Sequence, residues 1–169
     1  AWLIYSHTSN EWNMDGYLKN SDKIYRVITR YGDEDFWNCR TNTPFGPAAK
    51  RTFPEIVQVA RYFQKDYRIK IKDDQDFTIE PKLAFVDPPF FDLFEIPVIQ
   101  GKIDTTVFSW IVFTETSAKR YFNKENPIGK TVTIKDGINN RKKDIKCQVV
   151  AVIKDFPANS TIQANIIVD

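Results

Sequence analysis

The chain has 169 residues, 42% hydrophobic and 14% aromatic, with 24 Lys and Arg against 22 Asp and Glu and a formal net charge of +2. That is enough for one domain, or two small subdomains, with a real core, and too apolar and aromatic for a disordered chain. The near-balance of charge argues against a nucleic-acid-binding domain, and no run approaches the roughly 18 apolar residues that span a bilayer.

The segment up to Ser21 is polar with scattered aromatics. Ala1 to Tyr5 is too short for a signal peptide and has no basic flank. Trp2, Tyr5 and Trp12 read either as the remnant of a membrane-interface belt or as core and surface aromatics. Asp15-Gly16 predicts a turn. Lys23 to Tyr31 is β-branched and aromatic and is closed by Gly32-Asp33, which predicts a strand. Thr43-Pro44 to Pro54 predicts a short helix, with Pro47 in its first turn and Pro54 as its stop.

Val57 to Lys72 predicts two strands. In the second, Tyr67, Ile69 and Ile71 alternate with Arg68, Lys70 and Lys72, the pattern of a half-buried strand. Asp73 to Asp76 reads as a polar turn and Phe77 to Val86 as the next strand. Pro88-Pro89 opens a short helix over Phe90 to Phe94, and Ile96 to Ile99 is an extended run. Trp110 to Phe113 is a strand. Thr114 is expected to cap a helix with Glu115 in its first turn and Ala118, Tyr121 and Phe122 facing inward.

Lys130 to Lys135 predicts a strand with Val132 and Ile134 inward. Asp136-Gly137 begins a loop, and Ile145 to Ile153 is the returning strand. Thr161 to Val168 predicts a last strand. Strands dominate and three short helices are interspersed, which predicts an α+β fold with a mixed, largely antiparallel sheet.

The chain lacks the marks of common catalytic classes. His7 is its single histidine and has no GxSxG nearby; HExxH, GxGxxG and P-loop motifs are absent. Asp73, Asp74 and Asp76 lack calcium-loop spacing and glycine, so they read as a solvated turn. Catalytic, cofactor-binding and metal residues are therefore expected to number none, with no cofactor. Cys39 and Cys147 lack metal-ligand spacing, and whether they form a disulfide is left open. Arg141, Lys142 and Lys143 read as a solvated hairpin tip, or as a surface that meets lipid headgroups or another acidic partner. Asn159-Ser160-Thr161 fits a glycosylation sequon that is common by chance.

Several segments, in order, resemble one family. Asn20-Ser21-Asp22-Lys23-Ile24-Tyr25-Arg26-Val27 resembles the N-x-D-[RK]-I-Y-R-V segment that follows the first transmembrane helix of MacB/FtsX-type ABC transporter permeases, in the version abundant in Bacteroidetes. Thr43 to Ala48 with Phe53-Pro54-Glu55-Ile56 is similar to the family's P-x-G-x-x-L…F-P-E-[IV] helix. Phe85-Val86-Asp87, Phe90 to Phe94 and Gly101 follow its V-D-x-x-F-F-x-[MI]-F…L-x-G pattern. The most specific match is Val112 to Phe122 with Asn126-Pro127-Ile128-Gly129-Lys130, which looks like V-L-T-E-S-x-A-K-K-Y-F…[ND]-P-[IL]-G-K. Val152 to Ser160 closes the match. Asn123 stands where Gly is usual, and Ala48 or Ala49 where Leu is usual.

The resemblance implies a MacB-like periplasmic core domain over residues 1–169, truncated at its C-terminal end, in which two subdomains have no legible boundary. It implies a Porter-like α/β part with a smaller lobe, at the periplasmic face of the bacterial inner membrane in a multi-pass protein. It further implies a non-catalytic relay of ATP-driven movement, involving a cytoplasmic ATP-binding subunit and a second permease copy. The periplasmic partner would be an adaptor, a lipoprotein or a cell-wall hydrolase, and not nucleic acid. A free-standing extracytoplasmic binding module of the same fold is the alternative.

Overall fold

A computed structural model describes residues 15–30, 37–38, 40–72, 76–136 and 144–169. Nine strands occur among them: β1 (Thr29–Arg30), β2 (Trp37–Asn38), β3 (Tyr62–Lys70), β4 (Thr78–Val86), β5 (Val98–Gly101), β6 (Trp110–Thr114), β7 (Thr131–Asp136), β8 (Ile145–Ile153) and β9 (Ile166–Val168). Three α-helices join them: α1 (Phe45–Thr52), α2 (Pro89–Phe94) and α3 (Glu115–Phe122).

Strands β1 and β2 form a small antiparallel pair. The other seven make one sheet in the order β5-β8-β6-β9-β4-β3-β7, and β7 pairs again with β8. Six strands therefore close on themselves, with β5 branching from β8 alongside β7. Only β4 with β9 and β6 with β8 run parallel; the other five pairings are antiparallel. This is the mixed, largely antiparallel α+β architecture expected. Closure removes most of the free edges that an open sheet would expose.

The sheet is buried on both faces where the chain is most apolar. Ile69, Leu83, Ile111, Phe113, Val132, Ile134, Cys147, Val149, Ile166 and Val168 fill the inner side, with Ala118 and Phe122 of α3. On the outer side Ala84, Val86, Trp110, Val112, Ile153 and Ile167 pack with Phe90 and Phe91 of α2. β6 lies between these two cores, so all five of its residues are buried, and it reads as a continuous apolar run rather than an alternating one.

Two bulges adjust the facing of residues. Opposite Asp66, β4 inserts both Pro81 and Lys82, with Lys82 at φ 65°. Glu80 and Leu83, three apart, thereby both reach the inner side. On β8, Val150 is extra between Val149 and Ala151 opposite β6. Gly101, at φ 76°, lies against that bulge: a Cβ there would come within 2.2 Å of the Val150 carbonyl oxygen.

Several elements differ from expectation. Of the described residues Lys23 to Arg30, only Thr29–Arg30 pairs as strand, and Tyr31 lies outside the described residues; Ser21–Lys23 is a 3-10 turn. Tyr25, Val27 and Ile28 are exposed, Tyr25 at 83% and Ile28 at 51%, so burial does not extend the strand here. Val57 to Lys72 forms one strand, not two, because residues 57–61 pass beside α1 unpaired while Tyr62–Lys70 is held by β4 and β7. The last strand shrinks to Ile166–Val168, since residues 161–165 bond to the N-terminal segment and to the β4 bulge.

Candidate functional site

The polar groups of this domain converge on joints between segments. The most buried is at the β4 bulge. Glu80 is fully buried. Its Oε2 accepts hydrogen bonds from the Arg120 guanidinium and the Tyr121 hydroxyl of α3, and its Oε1 accepts from the Asn165 amide at 2.7 Å. Asn165 also donates to the Pro81 carbonyl at 3.2 Å, and its backbone amide donates to the Lys82 carbonyl at 3.0 Å. The bulge, α3 and the start of β9 are thus joined through one carboxylate. Burial, reinforced by the Glu80 charge and hydrogen bond, pushes the Tyr121 hydroxyl well above the usual phenol range. With three donors on its two oxygens, Glu80 is occupied as an acceptor and is suited to holding elements together.

The second joint caps α3. Thr114 occupies the cap position, but its hydroxyl donates to Ser117 Oγ at 3.0 Å and makes no capping bond. Asp155, just past β8, supplies the cap instead. Its Oδ1 accepts the Thr116 amide at 3.0 Å and its Oδ2 the Thr116 hydroxyl at 2.6 Å. Burial raises the Asp155 pKa, but the bonds from the Thr116 hydroxyl and amide outweigh it and hold the carboxyl below its ordinary value. The expected Thr114 cap is therefore corrected to one made in space, 39 residues from Thr116 in sequence.

The third joint fastens the N-terminal segment. Asp15 accepts bonds from the Ser160 hydroxyl at 3.0 Å, the Thr161 amide at 2.9 Å and the Thr161 hydroxyl, while its own amide donates to the Asn159 carbonyl at 3.0 Å. Tyr17 adds a hydroxyl contact to Ser160 Oγ at 2.8 Å. Lys19 pairs with Glu95, beyond α2, at 2.8 Å. Asn159-Ser160-Thr161, which matches a sequon in sequence, is a docking turn in the fold.

Other singled-out residues fall as follows. Gly129 has φ 83°, as the tight helix-to-strand turn requires, and its amide donates to Val149 at 2.8 Å. Asn126 Oδ1 accepts the Ile128 amide at 3.0 Å, which explains the Asn-Pro-Ile-Gly order. Asn123 takes φ 54°, the backbone state that glycine adopts most readily. Cys147 is a free, buried thiol, pushed up to about 12 by burial and the Asp169 charge. Cys39, His7, Asp73, Asp74 and Arg141 to Lys143 lie outside the described residues, as do Trp2, Tyr5 and Trp12; Asp76 is exposed.

Among the described residues no group of three or more His, Cys, Asp or Glu is gathered to hold a metal ion. An open groove of about 580 Å³ lies between α2 and β5, lined by Pro88, Pro89, Phe91, Asp92, Glu95 and Ile103 among others. Glu80 and Asn165 were not singled out from sequence. The available signal was Glu80-Pro81-Lys82: a proline within a strand run marks an edge or a bulge.

No curated protein matches the chain significantly. Among solved structures, a domain assigned to a permease protein of Porphyromonas gingivalis superposes with TM-score 0.52 at 19% identity, over 72% of this chain and 54% of that one. The periplasmic region of MacB from Actinobacillus actinomycetemcomitans gives TM-score 0.43 at 20% identity, over 64% and 45%. The extracellular domain of the noncanonic ABC-type transporter YknZ from Gram-positive bacteria gives 0.46 at 17%, over 66% and 54%. The chain thus spans about half the length of these structures. No helix among the described residues is long and apolar enough to cross a membrane. The family model of the MacB-like periplasmic core domain matches residues 3–169, and the chain belongs to that family of ABC transporter permease domains.

Proposed function

We propose that this domain relays ATP-driven movement from the membrane part of a permease to a partner outside the membrane. In this reading it performs no chemistry itself. A cytoplasmic ATP-binding subunit supplies the energy, a second permease copy faces it, and an adaptor, lipoprotein or cell-wall hydrolase receives the motion. The domain sits at the periplasmic face of the inner membrane.

The observation that supports this most is the set of polar joints. Asp15 fastens the N-terminal segment to the turn at residues 159–161, Asp155 fastens the end of β8 to α3, and Glu80 fastens α3 to the β4 bulge and to Asn165. A displacement applied to the N-terminal segment is passed through hydrogen-bonded joints into a closed sheet. That sheet encloses a continuous inner core and is covered by α2 on part of its outer side, so it resists deformation and the displacement moves the domain as a body.

The test uses the full-length permease with its ATP-binding subunit in nanodiscs, spin-labelled on exposed Lys154 of each copy. The distance between labels is expected to change with ATP, and Asp15→Ala is expected to blunt that change while ATP hydrolysis continues. A label distance independent of nucleotide in the unsubstituted protein refutes the relay.

A further inference from the structure

The outer face of β3, β7 and the first half of β8 carries cations that the joints above do not use. Tyr67, Ile69, Val132, Ile134 and Cys147 pack on the inner side, so alternation sends Arg68, Lys70, Thr133, Lys135 and Lys146 outward. Strand register sets them in two rows. Arg68 stands directly opposite Lys135, and Lys70, Thr133 and Lys146 follow one another across the three strands. Like charges opposed across strands disfavour the sheet that holds them.

Among the described residues no ion pair offsets this. None of the four cations forms a salt bridge among the described residues, and the exposed carboxylates at the margins, Asp66, Asp76 and Asp144, pair with none of them. Arg68 Nε is buried without a hydrogen-bond partner. The lysines are nevertheless positioned: Lys70 and Lys135 both lie over the Phe77 ring, with Nζ at 5.1 and 5.5 Å from its centroid. On this outer side of the sheet Lys146 is exposed, Arg68, Lys70 and Lys135 are half-buried, and Thr133 between them is buried.

We propose that this face docks an acidic segment of an extracytoplasmic protein. Charge complementarity calls for an anionic occupant. The choice of protein over bilayer rests on the relay reading, in which the N-terminal segment leads to the membrane. That segment is fastened beyond the Ile153 end of β8, whereas the cationic row crosses β8 at Lys146. The intervening strand is about 23 Å long at roughly 3.3 Å per residue, which sets the cations away from the anchored end.

Fluorescein-labelled decaglutamate titrated into the 169-residue chain tests this by anisotropy. Saturable binding that weakens with salt is expected, and Lys70→Glu with Lys146→Glu is expected to weaken it at least tenfold. Lys50→Glu with Arg51→Glu, on the exposed side of α1, is expected to leave it unchanged. If the first pair prevents folding, Lys70→Gln with Lys146→Gln is expected to give the same loss with the fold retained. Absence of binding, or equal loss from both pairs, overturns the proposal. So does sedimentation of the unsubstituted chain with phosphatidylglycerol vesicles when decaglutamate does not bind. A face that binds decaglutamate in a permease whose labels ignore ATP would retain the anionic site and refute only the relay.

Discussion

Replacing the two ends of the Glu80–Arg120 pair should have unequal costs. Glu80 is fully buried, whereas the Arg120 side chain is 49% exposed. In Arg120→Ala the carboxylate stays in the interior with only Tyr121 and Asn165 as donors. Breaking a fully buried pair costs about 3–5 kcal/mol; because Arg120 is half solvated, we expect about 2–3 kcal/mol. In Glu80→Gln the Arg120 guanidinium turns to water, and the new amide oxygen still accepts from Asn165. Loss of the charge-assisted bonds then amounts to about 1–2 kcal/mol. The double variant should cost less than the sum of the two by about 1 kcal/mol or more, since both act on one contact. Urea unfolding followed by tryptophan fluorescence measures all three, with an unchanged slope confirming that the native state stays compact. A Glu80→Gln cost above that of Arg120→Ala, or additivity within about 0.5 kcal/mol, would refute the reasoning.

Other consequences concern single positions. Gly101→Ala should destabilise more than Gly129→Ala in the same unfolding assay, because a Cβ at Gly101 meets the Val150 carbonyl whereas nothing lies within 4 Å at Gly129. Gly129→Val should still cost roughly 1–3 kcal/mol through its positive φ alone, and an unchanged midpoint would show that the turn tolerates it. The folded pKa of Asp155 is depressed, so its contribution is present above the unfolded value, near 3.8, and is lost as pH falls through the folded value. Asp155→Asn should therefore reduce the acid-induced fall in melting temperature below about pH 4, and an unaltered pH profile would contradict that role. Cys147 should resist Ellman's reagent at pH 8 in the folded protein and react once urea unfolds it; rapid native labelling at this position would contradict its burial.

The sequence by itself determined the elements whose signal is local, together with the family resemblance. Ile145 to Ile153 has the same limits in the structure as in the sequence reading, and Val132 and Ile134 face the core as their alternation predicts. Helix α3 buries Ala118 and Phe122 on the face that their spacing marks. Gly129 takes the positive φ required by its turn. These features depend on a period of two or 3.6 residues, or on one residue's backbone preference, all written within a few positions.

Tertiary structure decided what depends on distant partners. Tyr25 to Ile28 has strong β propensity yet makes no ladder, because a strand needs a pairing neighbour as well as suitable side chains. The β4 bulge that turns Glu80 inward is stabilised by Asn165, 85 residues away, and Arg120 reaches the same carboxylate from 40 residues away. The α3 cap comes from Asp155 rather than from the adjacent Thr114, and the return pairing of β7 with β8 closes the ring. Local periodicity states which face of an element is apolar. It does not state which distant polar group will meet a buried donor, because that partner is chosen only when the sheet closes and water is excluded.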